Sequence, residues 1–269
     1  MNNANVLSLR SGYSLIIQAL LVTIKETIVV KLGKTVTKIL TNLNRINDLI
    51  HAAQKRSNWE TEKVQIIAVT KEVSVERTQE AINAGLLHLG ENRPEGLSRK
   101  IEAIRADVNW HYIGSLQTRK VKQVINNIGY LHSLDRLSLA EEIEKRADKP
   151  VKCFVQINVS GEESKHGLTI KEALPFIQSL ASFTKIQVVG LMTMAPNTDD
   201  DDMIRTVFKQ LKQCQQQIAE QGFAHAPCTE LSMGMSNDFE IAVEEGATFV
   251  RVGTALVGNE RGEQDEHEK

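Results

Sequence analysis

Lys71 is the residue of this sequence whose position best suits covalent chemistry. It follows an apolar run at 66–69 that predicts a buried strand ending at the lysine. A lysine that is partly desolvated at the mouth of an α/β barrel keeps a fraction of its amine neutral, and a neutral amine can condense with an aldehyde. The structural alternative is a strand-end lysine that extends its ammonium group into water, so the neighbouring segments must decide.

Two glycine-containing loops could hold a phosphate. They read Ser-Met-Gly-Met-Ser at 232–236, after the seventh predicted strand, and Arg-Val-Gly-Thr at 251–254, after the eighth. Glycines let backbone N–H groups approach a phosphate closely, and Ser and Thr hydroxyls add further donors. Either loop alone could equally be a plain turn. Two such loops at the same end of a barrel favour a phosphate site.

Other catalytic and metal motifs are absent from the sequence. The 232–236 loop places serines on either side of a glycine, which is not the GxSxG pattern of serine hydrolases. The seven histidines lack HxxxH and HExxH spacing, and the acidic run at 199–202 is better suited to capping a helix than to binding a metal. His111 and Tyr112 alternate on a predicted strand, so one should face the lumen, and either could be a satisfied core residue.

Composition predicts an ordinary globular protein and leaves small anionic ligands open. The net charge of -2 lacks the basic excess typical of nucleic-acid-binding proteins. The apolar segment at 14–24 is interrupted by Lys25 and Glu26 before it reaches the roughly 20 residues of a membrane span. Three cysteines without CxxC spacing indicate core thiols in a reducing compartment, so we expect a cytoplasmic protein without a disulfide or zinc site.

Eight short apolar runs alternate with segments of helical periodicity. This alternation predicts a parallel sheet, and eight units in about 230 residues favour a single (β/α)8 barrel, also called a TIM barrel, over a doubly wound sheet. In the fifth run, Val151, Cys153 and Val155 share one face, while Phe154 and Gln156 share the other. The predicted strands are 64–70, 86–90, 110–114, 130–134, 151–159, 186–192, 228–232 and 248–252.

The predicted barrel occupies most of the chain. A long amphipathic helix over 34–57 precedes the first strand, and the barrel domain is expected to cover residues 34–262. Residues 1–33 form an N-terminal extension that we expect to be disordered or dispensable, and 263–269 form a polar tail.

Six strings in order carry a family resemblance. They are Ala-Val-Thr-Lys at 68–71, Gly-Glu-Asn at 90–92, His-Tyr-Ile-Gly at 111–114, Gly-Leu-Met-Thr-Met at 190–194, Leu-Ser-Met-Gly-Met-Ser at 231–236 and Val-Arg-Val-Gly-Thr at 250–254. From about residue 35 to 260 the chain resembles the YggS/PROSC family of pyridoxal-phosphate-binding proteins, in particular its YlmE-like branch. The resemblance implies the barrel of fold-type III pyridoxal-phosphate proteins, akin to the N-terminal domain of alanine racemase.

The resemblance also assigns residues to the cofactor pyridoxal 5'-phosphate. It places Lys71 at the lysine that forms the Schiff base and Arg251 opposite the pyridine nitrogen. The remaining implied contacts are Asn92 beside the cofactor and Ser232, Ser236, Gly253 and Thr254 at its phosphate. The chain departs from the pattern at Val73, where some members carry a second lysine, and at Arg93, where many carry an aromatic residue.

The function implied by the resemblance is a part in intracellular pyridoxal phosphate homeostasis, as a carrier or regulator that binds and delivers the cofactor, with pyridoxal-phosphate-requiring apoenzymes as possible recipients. A non-catalytic role is therefore expected. The alternative is an amino-acid racemase or decarboxylase on the same barrel, which would use a second catalytic group and a second domain, and the expectation is that this chain has no room for one. From the residues alone, an aldolase-type Schiff-base enzyme without a cofactor would explain Lys71 and the phosphate loops equally well.

Overall fold

Strands and helices alternate along the chain. The structure, a computed structural model, describes residues 38–57, 59, 63–162 and 165–260. The strands are β1 (Gln65–Val69), β2 (His88–Glu91), β3 (Asn109–Tyr112), β4 (Tyr130–Leu134), β5 (Val151–Gln156), β6 (Ile186–Met192), β7 (Glu230–Ser232) and β8 (Phe249–Val252). The helices are α1 (38–56), α2 (Val75–Asn83), α3 (Pro94–Ala103), α4 (Val121–Val124), α5 (Leu137–Arg146), α6 (Ile170–Ser179), α7 (Asp201–Ala219), α8 (Phe239–Glu244) and α9 (Thr254–Val257).

The eight strands close into a barrel in sequential order. Every neighbouring pair is parallel, and β1 pairs with β8 from Gln65 opposite Phe249 to Ala68 opposite Val252, which completes the ring. The prediction of a single (β/α)8 barrel is confirmed, and the doubly wound alternative is wrong. All eight predicted strands are present, with ends that differ by a few residues.

The strands separate a lumen from an outer core. Cys153 and Val155 belong to the large core between strands and helices, whereas Phe154 belongs to a smaller cluster with Ile67 and Phe249. The predicted division of the fifth strand into two faces is therefore confirmed. On β1 the same alternation makes Ile67 and Val69 lumen-side positions, because side chains two residues apart in a strand share a face.

The fifth strand ends earlier than predicted. β5 stops at Gln156 rather than at residue 159, because Asn158 organises a loop instead of continuing the sheet. The Asn158 side chain donates to the carbonyl oxygens of Glu162 at 2.8 Å and Lys165 at 3.3 Å. The amide of Asn158 donates to Leu168 O at 2.8 Å, so the loop returns along the end of the strand.

The acidic run at 199–202 caps a helix, as predicted. Asp200 is the N-cap of α7, and its carboxylate accepts a hydrogen bond from the amide of Met203 at 3.0 Å. Asp201 and Asp202 lie in the first turn, where negative charge complements the helix dipole. Among the residues that the structure describes, no group of three His, Cys, Asp or Glu side chains is arranged to hold a metal ion.

The three cysteines are buried and unpaired, in agreement with the prediction of core thiols. Burial raises the pKa of the Cys153 thiol to about 12. None of the helices in the described part of the chain is both long and apolar enough to cross a membrane. Helix α1 confirms the predicted amphipathic helix over 38–56, whereas the predictions for residues 1–33 and 263–269 fall outside the described residues.

Candidate functional site

Lys71 lies two residues beyond the end of β1, in a turn, and it is exposed, so the expectation of a partly desolvated lysine is wrong. The amide of Thr70 continues the sheet by donating to Gly90 O at 3.0 Å, and the amide of Val73 then closes the turn onto Thr70 O at 3.1 Å. The hydrogen bonds of the sheet thus extend to Thr70 and end one residue before Lys71. The amine is placed at the carboxyl end of the barrel, where (β/α)8 proteins form their binding sites.

A buried polar cluster lies behind this turn, on the helix side of the barrel wall. Lys100 of α3 donates to the carbonyl oxygen of Thr70 and to the carboxylate of Glu91, the latter at 2.6 Å. The hydroxyl of Thr70 donates to the same carboxylate oxygen at 2.7 Å. The cluster joins the ends of β1 and β2, one residue before Lys71 and Asn92 respectively. Glu91 and Lys100 are not among the site residues predicted from the sequence.

Asn92 is partly exposed beyond the end of β2, and its backbone packs against Gly114. A Cβ atom at Gly114 would lie 2.4 Å from the carbonyl oxygen of Asn92 and 2.9 Å from its Cα atom. Only glycine fits this approach without movement of the backbone. The glycine of the His-Tyr-Ile-Gly string therefore has a packing role, which is to let the loop that follows β3 support Asn92.

Arg251 on β8 is a buried cation that faces the lumen. Its Nη1 atom donates to Ser232 Oγ at 2.7 Å, and its Nη2 atom donates to the carbonyl oxygen of Thr193 at 2.9 Å. Burial lowers the pKa of the guanidinium to about 10, and the nearby charge of Asp238 opposes this shift. Arg251 remains charged at neutral pH. With two of its five N–H groups in these bonds, it can present further donors to a ligand above it.

The two glycine loops lie side by side. The amide of Arg251 donates to Gly234 O at 2.9 Å, and the amide of Gly253 approaches Ser236 Oγ at 3.4 Å. Gly234 has a φ of +89°, and a Cβ atom there would lie 2.6 Å from the Cβ atom of Ala242. Glycine is thus required for the loop to turn tightly over α8. Thr254 is exposed and begins α9.

Ser232 lies deeper than the other predicted phosphate contacts. It is fully buried, and its hydroxyl is engaged by Arg251 and by His132 Nδ1, the latter at 2.9 Å. Ser236, Gly253 and Thr254 are at least partly exposed at the barrel mouth. The structure therefore divides the predicted set into an exposed group and a buried pair, Ser232 and Arg251.

Three lumen histidines escaped the sequence analysis as a group. His88, His111 and His132 begin or occupy three consecutive strands, β2, β3 and β4, and neighbouring rings are hydrogen-bonded at 2.8 Å. Of the alternating pair at 111 and 112, His111 faces the lumen, and Tyr112 packs in the outer core. The sequence places each of these histidines on a different predicted strand. Only the register of the strands shows that all three side chains face the lumen.

These features define a class of protein: a single (β/α)8 barrel with a lysine, a buried arginine and two glycine loops at the carboxyl ends of β1, β7 and β8. The family described as alanine racemase, N-terminal domain, matches residues 41–261. The matched range includes every predicted site residue, from Lys71 to Thr254.

Similar proteins narrow this class to one family. The pyridoxal phosphate homeostasis protein of Aquifex aeolicus is 36% identical over 223 residues, which cover 81% of this chain and 97% of that protein. The protein of the same name from Vibrio cholerae is 32% identical, with 81% and 94% covered. The structure of PipY from Synechococcus elongatus with PLP bound superposes with a TM-score of 0.72 at 29% identity, covering 82% of this chain and all of PipY. The chain belongs to the family of pyridoxal phosphate homeostasis proteins.

Proposed function

We propose that this protein binds pyridoxal 5'-phosphate through a Schiff base on Lys71 and holds it in the cytoplasm for pyridoxal-phosphate-requiring apoenzymes. The observation that carries the proposal is the position of Lys71 relative to Arg251. Ile67 is the register partner of Arg251, and Lys71 follows in the turn just beyond the end of the same strand, so both side chains belong to the carboxyl ends of neighbouring strands. Two long side chains can therefore engage one small ligand from two sides.

The residues present fit the chemical groups of pyridoxal phosphate. An exposed primary amine suits its aldehyde, and a buried guanidinium that keeps donors free suits the pyridine nitrogen, which then accepts a hydrogen bond and stays unprotonated. The exposed residues Ser236, Gly253 and Thr254 suit its phosphate. Ser232 instead accepts a hydrogen bond from Arg251. When bound, the cofactor supplies an aldehyde and an electron-withdrawing ring.

The names of the relatives support a homeostasis role. PipY has been solved with PLP bound, and the curated relatives are named for pyridoxal phosphate homeostasis. Delivery to apoenzymes and a cytoplasmic location are our extension of these names, in keeping with the unpaired state of the three cysteines.

Borohydride reduction tests the covalent attachment. The full-length protein is loaded with pyridoxal phosphate, reduced and digested, and the pyridoxyl mass is expected on the peptide that contains Lys71. Lys71→Ala should abolish the label and the visible absorption band. Lys165→Ala is the matched control, because Lys165 lies in the loop that follows β5 but is engaged by Glu162 at 2.7 Å. Label on Lys165 or Lys120 would overturn the assignment.

Amino-acid exchange separates this role from the racemase alternative. Racemisation needs an acid and a base on opposite faces of the substrate carbon, and Lys71 can serve only one face. The loaded protein is incubated with L- and D-alanine in deuterium oxide, and exchange at the α-carbon is followed. We expect turnover far below the range of about 1 per second or more that is usual for enzymes. Turnover within that range would replace the carrier function with the racemase function.

A further inference from the structure

A continuous chain of hydrogen bonds crosses the lumen from Arg251 toward the opposite end of the barrel. Arg251 Nη1 lies 2.7 Å from Ser232 Oγ, which lies 2.9 Å from His132 Nδ1. His132 Nε2 lies 2.8 Å from His111 Nδ1, and His111 Nε2 lies 2.8 Å from His88 Nδ1. Five residues from five strands are thereby joined in one line that begins at the candidate cofactor site.

The arginine gives this line a direction. A guanidinium only donates, so Ser232 must accept from Arg251. Within the described part of the chain, the other partner of this fully buried hydroxyl is His132, so its proton is satisfied by donation to His132 Nδ1. His132 then carries its proton on Nε2 and donates to His111, which in turn donates from Nε2 to His88. The opposite direction would leave the hydroxyl proton of Ser232 buried without an acceptor.

The surroundings keep the rings neutral. His111 stacks on Tyr130 with centroids 4.3 Å apart, and His132 stacks on Phe154 at 4.4 Å. Burial lowers the pKa of both imidazoles well below the ordinary value, and Arg251 adds to this effect at His132. Each ring is thus a neutral dipole whose proton-free Nδ1 is directed toward the guanidinium.

The far end of the line reaches solvent. His88 is half-buried and borders a cleft of about 370 Å³ at the amino end of the barrel, which Lys63 and Gln65 also line. Water in this cleft can accept the last proton of the line, on His88 Nε2. Lys63 and Lys152 lower the pKa of His88 in addition to its burial. The line therefore ends at a half-buried ring and not at a buried donor.

We propose that His132, His111 and His88 are positioning residues for Arg251, and that their aligned rings fix the hydroxyl of Ser232 and orient the guanidinium toward the cofactor ring. This inference rests on the proposed function. A buried cation needs compensation. The nearby charge of Asp238 supplies part of it, but among its described hydrogen bonds Arg251 has a hydroxyl and a carbonyl and no carboxylate. A line of dipoles with acceptor ends toward the guanidinium adds to that compensation without occupying the donors that a ligand would use.

The direction of the line is tested without the cofactor. The full-length protein with 15N-labelled histidine is studied by NMR at pH 7.5, where the two ring nitrogens of each tautomer have distinct shifts. His132 and His111 are expected to be neutral and protonated at Nε2. A proton on Nδ1 of either residue, or an imidazolium, overturns the inference whether or not the protein binds pyridoxal phosphate.

The positioning role is tested with paired variants in cofactor titrations. His111→Leu interrupts the line, whereas His111→Gln can accept from His132 and donate to His88. We expect His111→Leu to weaken pyridoxal phosphate binding about fivefold and to shift its visible absorption band, and His111→Gln to restore both. His225→Leu is the control, because this histidine bonds Ile177 O outside the barrel.

Two further outcomes are decisive. If His111→Leu does not fold, His88→Leu at the half-buried end of the line replaces it, with the same expected direction. Unchanged affinity and absorption in whichever variant folds overturn the positioning role. If the wild-type protein fails to bind pyridoxal phosphate at all, the proposed function fails and the positioning role fails with it, while the NMR result still reports the direction of the line.

Discussion

The ammonium group of Lys100 lies 2.6 Å from the carboxylate oxygen Oε1 of Glu91, and both side chains are almost fully buried behind the barrel wall. Because Lys100 also bonds the carbonyl oxygen of Thr70, this ion pair holds the ends of two strands at once. Those strands lead directly to Lys71 and Asn92. The pair therefore links helix α3, on the outside of the barrel, to the strand ends that lead to the candidate cofactor site.

Removing the ammonium group of Lys100 should lower the free energy of unfolding. Lys100→Met leaves the Glu91 carboxylate buried and unpaired, and breaking a buried pair in this way costs about 3–5 kcal/mol. Urea unfolding of both proteins measures this loss. Lys120→Met is the control, since Lys120 pairs with the exposed Glu95 at 3.1 Å and surface pairs contribute about 0–1 kcal/mol. Equal effects of the two substitutions would show that the buried pair has no special role.

Gly114→Ala should disturb Asn92. The added Cβ atom would lie 2.4 Å from the Asn92 carbonyl oxygen, so the backbone must move, at a cost of about 1–3 kcal/mol for overpacking. We expect weaker pyridoxal phosphate binding in a titration followed by absorbance. Gly129→Ala serves as the comparison, because its Cβ atom would meet its nearest neighbour at 3.6 Å. A Gly114→Ala protein with wild-type affinity would remove Asn92 from the proposed site.

Acid should destabilise the barrel through its lumen histidines. The pKa values of His111 and His132 are well below 6.5 in the folded state, because both rings are buried. Below about pH 6.5 the unfolded chain binds more protons than the folded one, so stability is retained above this pH and falls as the pH decreases. With two such groups, the free energy of unfolding is expected to fall by up to about 2.7 kcal/mol for each pH unit.

Unfolding by urea between pH 5 and 7.5 measures this slope, and His111→Gln should reduce it by about half. Burial raises the pKa of Asp238, which acts in the opposite sense at the acidic end of the range. A free energy of unfolding that does not change between pH 6.5 and pH 5 would contradict the prediction.

The phosphate should contribute strongly to cofactor affinity. Charge-assisted hydrogen bonds contribute about 1.5–3 kcal/mol each, so pyridoxal should bind at least about tenfold more weakly than pyridoxal phosphate. Ser236→Ala should narrow this difference, whereas Ser138→Ala on the exposed face of α5 should not. Equal affinity for both ligands would mean that the two glycine loops only turn the chain.

The sequence by itself determined the barrel fold and the end of the barrel at which the candidate site lies. Apolar runs with period two and helices with period 3.6 are local properties, so eight strands, the two faces of β5 and the cap at Asp200 could all be predicted. The same local pattern placed Lys71, Gly234 and Gly253 after strands, and the ends of parallel strands in a barrel meet at one mouth.

Only the tertiary structure decided how the lumen is connected. Whether Ser232 faces a phosphate or lies beneath Arg251 depends on the register of β7 against β8, which no short stretch of sequence encodes. The line from His132 to His88 spans three strands that are separated by helices in the chain. Such contacts form only when the barrel closes, because closure fixes which residues of distant segments share a level of the lumen.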